Sequence, residues 1–111
     1  MANLCTNLFF ATIKVAETTE KHETVYQTIS TFLEDNLLID NIDLDECFIE
    51  AHFQSKWSFP NVEMQQLAQQ LKQNYPNECK DLYMRCLSYE FGCEYADFQI
   101  FENGKWQSKM N

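Results

Sequence analysis

Four ionisable side chains have the types that acid–base chemistry uses, although their spacing does not demand it: Glu50, His52, Arg85 and Glu90. Glu50 and His52 stand two residues apart, so on a strand they share one face, where either could act as a base. Arg85 is the only arginine of the chain and could hold an anionic substrate. The same residues also suit an ordinary polar sheet face. A small enzyme or metabolite-binding protein is therefore one hypothesis among several.

The cysteines indicate structural thiols in a reducing compartment. Their number is odd, and the N-terminus lacks the basic and then apolar segments of a signal peptide, so we expect a cytoplasmic protein. The last three are separated by six residues each, whereas zinc sites use pairs about two to four residues apart. We therefore expect neither a metal nor another cofactor. The five cysteines are Cys5, Cys47, Cys79, Cys86 and Cys93.

The net charge of −9 argues against several classes of binding partner. Phosphate contacts need Lys and Arg, so direct binding of nucleic acid or of an anionic membrane is not expected. No apolar run reaches the roughly 18 residues of a transmembrane helix. The acidic charge is compatible with a different function, that of an antagonist whose carboxylates mimic the phosphates of nucleic acid.

Two periodicities divide the first two thirds of the chain. Apolar residues alternate with polar ones in two segments, which predicts half-buried strands. They recur at i, i+4, i+7 in two others, which predicts helices with one buried face. An acidic connection, residues 38–46, either anchors the chain or forms a short extra strand. The predicted segments are a strand over 8–16, a helix capped by Thr18 or Thr19, a strand over 47–54 and a helix over 61–74.

The last third predicts a meander of three strands. Gly92 lies in the first connection and Asn103-Gly104 in the second. An Asn-Gly pair favours a type I′ hairpin turn, because both residues accept positive φ. That turn places Phe101 opposite Trp106, which supports a real last strand. The strands of the meander are expected over 81–90, 94–102 and 105–109.

These elements predict an α+β two-layer sandwich that forms a single domain over residues 1–111. The expected order is β-α-β-α-β-β-β, with four or five strands in the sheet and two helices on one of its faces. The other face would then be open and would carry aromatic and polar groups, a mixture that often marks a binding surface. A bulge at Gly92 would exchange the two faces of the last strands. The candidate partner surface consists of Phe48, His52, Tyr83, Arg85, Tyr89, Tyr95, Phe101 and Trp106.

Three short motifs resemble the YubB-like proteins, a group of small plasmid- and phage-borne bacterial proteins of uncharacterised function. They are the opening 1–7, the segment Phe53 to Pro60 and the segment Tyr89 to Tyr95. The chain departs from that pattern at Leu4, where the family usually has Trp, and at Phe59, where it usually has a first Pro. The resemblance implies a ferredoxin-like fold and carries no catalytic residue or ligand.

Most residues of these motifs have structural interpretations. Trp57 and Pro60 predict a rigid corner between strand and helix with a buried indole, and Gly92 predicts a turn with positive φ. The alternative is that Cys5, Trp57 and Glu90 converge on a pocket, where burial would raise the pKa of Glu90. The motif residues are Asn3, Cys5, Asn7, Lys56, Trp57, Pro60, Glu90 and Gly92.

The function favoured by the sequence is a non-catalytic protein-interaction module from a mobile element. It depends on the sandwich fold, the aromatic open face and the absence of a catalytic constellation. The partner would be a protein that the sequence does not identify, and a homodimer is possible. An RNA-binding sheet is a weaker alternative, since the glycine-aromatic signature of RNA recognition motifs is missing.

Overall fold

The computed structural model describes residues 4–109. The order of elements there is β-α-β-β-α-β-β-β. Two 3₁₀ turns, Glu78–Asp81 and Phe91–Cys93, precede and follow the fourth strand. The elements are β1 Leu4–Ile13, α1 Glu20–Asn36, β2 Leu38–Leu44, β3 Ile49–Lys56, α2 Asn61–Asn74, β4 Leu82–Glu90, β5 Tyr95–Glu102 and β6 Lys105–Ser108.

The six strands form one sheet in the order β2-β3-β1-β4-β5-β6, and every neighbouring pair is antiparallel. The α+β class is confirmed, whereas the expected count of four or five strands and the β-α-β-α-β-β-β order are wrong. The acidic connection is the added strand, β2. It pairs with β3 on one side and is irregular between Ile39 and Asn41. Neither helix described in residues 4–109 is long and apolar enough to cross a membrane.

The core lies between the two helices and one face of the sheet. The predicted stripe of α1 is confirmed, since Val25, Ile29 and Leu33 are buried there. Met64 and Leu71 of α2 are buried in the same cluster. The sheet contributes one set of alternating side chains, among them Phe9, Ala11, Ile49, Ala51, Phe53, Met84 and Cys86. Both helices therefore cover the same face of the sheet, and the other face is open.

The Asn103-Gly104 turn is confirmed. Asn103 has φ 54° and Gly104 has φ 82°, and Phe101 pairs with Trp106 across the hairpin. The two rings lie 5.6 Å apart between their centroids. Both side chains are buried against the helices, and the indole Nε1 donates to the carbonyl oxygen of Met64 over 3.1 Å.

The prediction that Tyr95, Phe101 and Trp106 lie on the open face is wrong. Phe101 pairs with Met84, a core residue, so both point to the helices. Tyr95 shares the parity of Phe101, and its hydroxyl accepts a hydrogen bond from the backbone N–H of Phe59 over 3.1 Å. The cause is the connection after β4, where a 3₁₀ turn and one left-handed residue shift the parity of β5.

Two details of the predicted turns are also wrong. Trp57 is 53% exposed, so the indole does not cover the helix start. It adopts φ 72°, while Pro60 is buried at the corner. The left-handed residue after β4 is Glu94, with φ 52°, and not Gly92. Asn3 lies outside the described residues.

Candidate functional site: the open face of the sheet

The register of the strands aligns the side chains of the open face in rows. Phe10 pairs with Glu50 on one side and with Arg85 on the other. Arg85 pairs in turn with Ile100, which continues the row into β5. The next row runs through His52, Leu8, Leu87 and Phe98. We call the outward side chains of these rows and of the adjoining Phe48, Tyr83 and Tyr89 the open face.

The centre of the open face is apolar. Leu8 and Phe10 of β1, Leu87 of β4, and Phe98 and Ile100 of β5 occupy neighbouring strands in two adjacent rows. Each is half-buried by its sheet neighbours, and none belongs to the core beneath the helices. A contiguous apolar patch of this kind on a small protein is typical of an interaction surface.

Cations and aromatic rings pack on this apolar centre. The guanidinium of Arg85 lies over the Phe10 ring, 4.4 Å from its centroid, and the Phe48 ring stacks on Phe10 at 5.9 Å. The ammonium of Lys14 lies 4.4 Å from the centroid of Tyr83. Such contacts let a charged group remain on an apolar surface at little cost, because the ring face is negative.

The charges are unevenly distributed across the sheet. The segment between Lys21 and Lys56 contains no lysine or arginine. Its carboxylates include Asp43 and Glu50, which pair directly across β2 and β3. On the other side of the sheet, Arg85 of β4 continues the row of Glu50, whereas Lys105 of β6 is paired with Glu102 of β5. The row of Arg85 thus has carboxylates on its β2 side and a cation on its β4 side.

The structure places five of the eight predicted surface residues on the open face. They are Phe48, His52, Tyr83, Arg85 and Tyr89. The sequence interpretation missed Phe98 and Ile100, which it assigned to the core. The connection 91–94 determines which residues of β5 face outward, and it is the segment that could have indicated Phe98 and Ile100. A connection of that length can form several turns, so its sequence does not decide between the two faces.

The hypothetical acid–base site is not assembled. Glu50 and Arg85 occupy one row, but Phe10 stands between them. Glu90 lies at the end of β4, where its carboxylate accepts hydrogen bonds from the backbone N–H groups of Gly92 over 3.0 Å and Cys93 over 2.6 Å.

A hydrogen bond from the Cys93 side chain, together with these bonds from the backbone N–H groups of Gly92 and Cys93, lowers the pKa of Glu90. A general base requires the opposite shift. A Cβ at position 92 would lie 3.1 Å from both carboxylate oxygens, which accounts for glycine there.

Beneath the helices, Asn7 forms a buried polar cluster with Ser55 and Ser88. Its amide donates to Ser55 Oγ over 2.8 Å, and its Oδ1 accepts from Ser88 Oγ over 2.6 Å. Cys5 is buried nearby; burial raises the pKa of its thiol, and the charge of Glu90 raises it further. Thr6 pairs with Tyr89, so the preceding Cys5 lies close to the following Glu90, as the pocket alternative requires, but Trp57 is exposed. In residues 4–109 no three His, Cys, Asp or Glu side chains are grouped to hold a metal ion.

A cleft of about 820 Å³ lies at the corner between β3 and α2. Leu38 and Val62 on its wall are 64% and 62% exposed. None of Glu50, His52 and Arg85 lines it. Val62 belongs to α2, which covers the opposite face of the sheet, and it provides a control position for experiments on the open face.

Comparison of the chain with protein-family models, with curated proteins and with solved structures finds no significant match. The resemblance to YubB-like proteins consequently stays a prediction.

Proposed function

We propose that this protein is a non-catalytic interaction module that binds a protein through the open face of its sheet. The single observation that carries the proposal is the apolar centre formed by Leu8, Phe10, Leu87, Phe98 and Ile100, outside the core and flanked by aromatic rings. Burying such a patch is favourable by about 25 cal/mol per Å² of apolar surface.

The arrangement of polar groups favours binding over catalysis. Arg85 packs on Phe10, and Glu90 is engaged by two backbone N–H groups. His52 and Glu50 are exposed on the open face, where a partner can reach them. Aromatic and arginine side chains at the centre of a surface are the residue types that dominate protein interfaces.

The order of strands and helices supports a finer classification of the fold. Through β4 the chain follows β-α-β-β-α-β, and these strands lie in the order β2-β3-β1-β4. This is the split βαβ arrangement, so we classify the protein as a ferredoxin-like two-layer sandwich that is extended by the hairpin of β5 and β6. The classification agrees with the resemblance to YubB-like proteins. A cytoplasmic location and an origin in a mobile element are further parts of the proposal.

The test is capture of interacting proteins from lysate of the natural host by tagged wild type and by two variants. Phe98→Asp places a charge in the open face, and Val62→Asp places one at the corner cleft. We expect a stoichiometric protein with the wild type and with Val62→Asp, and its loss with Phe98→Asp. Equal capture by both variants would contradict the proposal, provided that circular dichroism shows both to be folded.

An acidic antagonist that mimics nucleic acid is the second candidate. It is favoured by the carboxylates at the β2 side of the sheet, which include Asp40, Asp43 and Glu50. This candidate predicts capture of a nucleic-acid-handling enzyme that is lost when Asp43→Asn and Glu50→Gln are combined. Competition by duplex DNA would then displace the protein from that enzyme; retention in the presence of excess DNA would exclude mimicry.

A further inference from the structure

The size of the open face sets the size of what covers it. Six strands about 4.8 Å apart and eight residues at about 3.3 Å per residue span roughly 24 by 26 Å. A face of this extent matches the roughly 800 Å² that each partner buries in a standard protein interface. A second sheet of equal extent can cover it by aligned sheet-on-sheet packing, and the open face of a second copy is such a surface.

The edges of the sheet are poorly suited to association by strand addition. One edge, β2, carries Asp40 and Asp43 and is irregular after Ile39. The other edge, β6, has four residues and begins at Lys105. Charged, irregular and short edge strands prevent pairing with another sheet. Two copies would therefore associate through their faces rather than through their edges.

The distribution of charge selects one orientation of two copies. A twofold axis parallel to the strands, passing between β1 and β4, places β2 of one copy over β6 of the other. The row of Asp43, Glu50 and Arg85 then lies over the same row of the second copy with its ends exchanged. The carboxylates of one copy are thereby brought to the Arg85 side of the other, and the apolar centres meet each other. A twofold axis across the strands would instead place β2 over β2 and bring like charges together.

The same orientation provides a counter-charge for the central cation. Because β4 of one copy lies over β1 of the other, Arg85 is brought over Phe10 of the partner subunit. Glu50 pairs with Phe10 in the register of the sheet, so the partner subunit's Glu50 stands one strand away. A buried charge needs such a partner, since leaving it unpaired strongly destabilises an interface.

We propose that the protein forms a twofold homodimer in which the two open faces pack together, with β2 of each copy over β6 of the other. This inference rests on the proposed function and names a second copy of the chain as the protein that the open face binds. The dimer has four layers, with helices outside and two sheets about 10 Å apart inside.

Sedimentation equilibrium of the purified chain tests the dimer. We expect twice the chain mass of 13.2 kDa at about 50 μM, a concentration at which micromolar affinity gives mostly dimer. Leu87→Glu and Phe98→Glu should weaken the association at least tenfold, whereas Val62→Glu should leave it unchanged. Urea unfolding of each variant shows that a monomer is folded rather than denatured.

A charge exchange tests the orientation. Glu50→Lys alone should weaken the dimer because it brings a second cation close to Arg85 of the other copy, and Arg85→Glu in the same chain should restore it. Weakening by Glu50→Lys without restoration by Arg85→Glu would overturn the orientation.

A monomeric wild type at 50 μM would overturn the homodimer. If Phe98→Asp still lost a different captured protein, the open face would remain the binding surface. If the wild type and Phe98→Asp captured other proteins equally, the proposed function would be contradicted as well.

Discussion

The guanidinium carbon of Arg85 lies 4.4 Å from the centroid of the Phe10 ring, and the two residues are direct neighbours across β1 and β4. The pair stands in the middle of the row that also contains Glu50 and Ile100. The only arginine of the chain thus lies over the apolar centre and is exposed, so a partner can reach its N–H groups.

Replacing Arg85 should separate binding from stability. Arg85→Gln removes a cation–π contact at a solvent-accessible position, so the free energy of unfolding should fall by about 0.5–1 kcal/mol. Association through the open face should weaken by considerably more, because a central arginine is a typical hot spot. Urea unfolding and a binding titration measure the two effects. Lys80→Gln, at an exposed position of the 3₁₀ turn before β4 and outside the open face, is the control for losing one positive charge.

The buried amide of Asn7 should be important for stability. Asn7→Ala removes the oxygen that accepts from the Ser88 hydroxyl, in a site where both residues are fully buried, whereas the Ser55 hydroxyl keeps its hydrogen bond to the carbonyl oxygen of Ser58. Leaving one buried group unsatisfied costs about 1–3 kcal/mol, so a loss of about 1–3 kcal/mol is expected in urea unfolding. Asn41→Ala, on exposed β2, should change the stability by less than about 0.5 kcal/mol. Equal effects of the two variants would contradict the structural role of Asn7.

The five thiols should divide into two groups by reactivity. Cys47 and Cys93 are exposed, whereas Cys5, Cys79 and Cys86 are buried. Burial raises the pKa of Cys86 to about 12. Because the thiolate is the reactive form, only two thiols of the native protein should react rapidly with a disulfide reagent at pH 8.

The variant carrying Cys47→Ser and Cys93→Ser is the control for this assignment. It should react only after unfolding, when three thiols become accessible. Rapid labelling of this variant in its native state would show that the core is more open than the structure indicates.

Glu90 should make the stability dependent on pH in the acidic range. Its hydrogen bonds from Cys93 and Gly92 lower the pKa of its carboxyl below the ordinary value of 4.5. The ionised form therefore stabilises the fold at neutral pH. This contribution declines as the pH falls from about 4.5 through the lower pKa of the folded state.

Glu90→Gln should accordingly be less stable than the wild type at pH 7, and the difference should vanish at strongly acidic pH. Glu94→Gln removes an equal charge from the left-handed residue that follows the same 3₁₀ turn, and it serves as the control. Thermal unfolding across this pH range measures both variants. A difference between Glu90→Gln and wild type that persists unchanged at low pH would contradict the capping role of the carboxylate.

The elements with strong local signals could be predicted from the sequence. The α1 stripe needs only a period of 3.6, and the Asn103-Gly104 hairpin needs only two residues that accept positive φ. The register of the hairpin then correctly paired Phe101 with Trp106. What the hairpin could not set was which face of the sheet that pair occupies.

The face was set by the connection between β4 and β5. A 3₁₀ turn at Phe91–Cys93 and a left-handed Glu94 reverse the expected parity. As a result Phe98 and Ile100 lie on the open face, and Tyr95 and Phe101 lie beneath the helices. A change of one residue in a turn exchanges the two faces of a whole strand, and no local pattern in 91–94 specifies the count.

The remaining misses have the same origin in tertiary contacts. The strand β2 consists largely of exposed residues and carries two aspartates, so its own sequence favours a loop, and pairing with β3 makes it a strand. Trp57 was expected to be buried because indoles usually are, but its positive φ turns the corner with the side chain outside. The apolar pattern alone did not distinguish these cases.

The most direct test of the central claim is photo-crosslinking from single positions inside host cells. A photoreactive phenylalanine analogue at Phe98 lies on the open face, and the same analogue at Gln66 lies on the solvent side of α2. We predict a discrete protein adduct from position 98, which includes the chain itself if the dimer forms, and none from position 66. Equal labelling from both positions, or none from position 98 in a folded protein, would contradict the account.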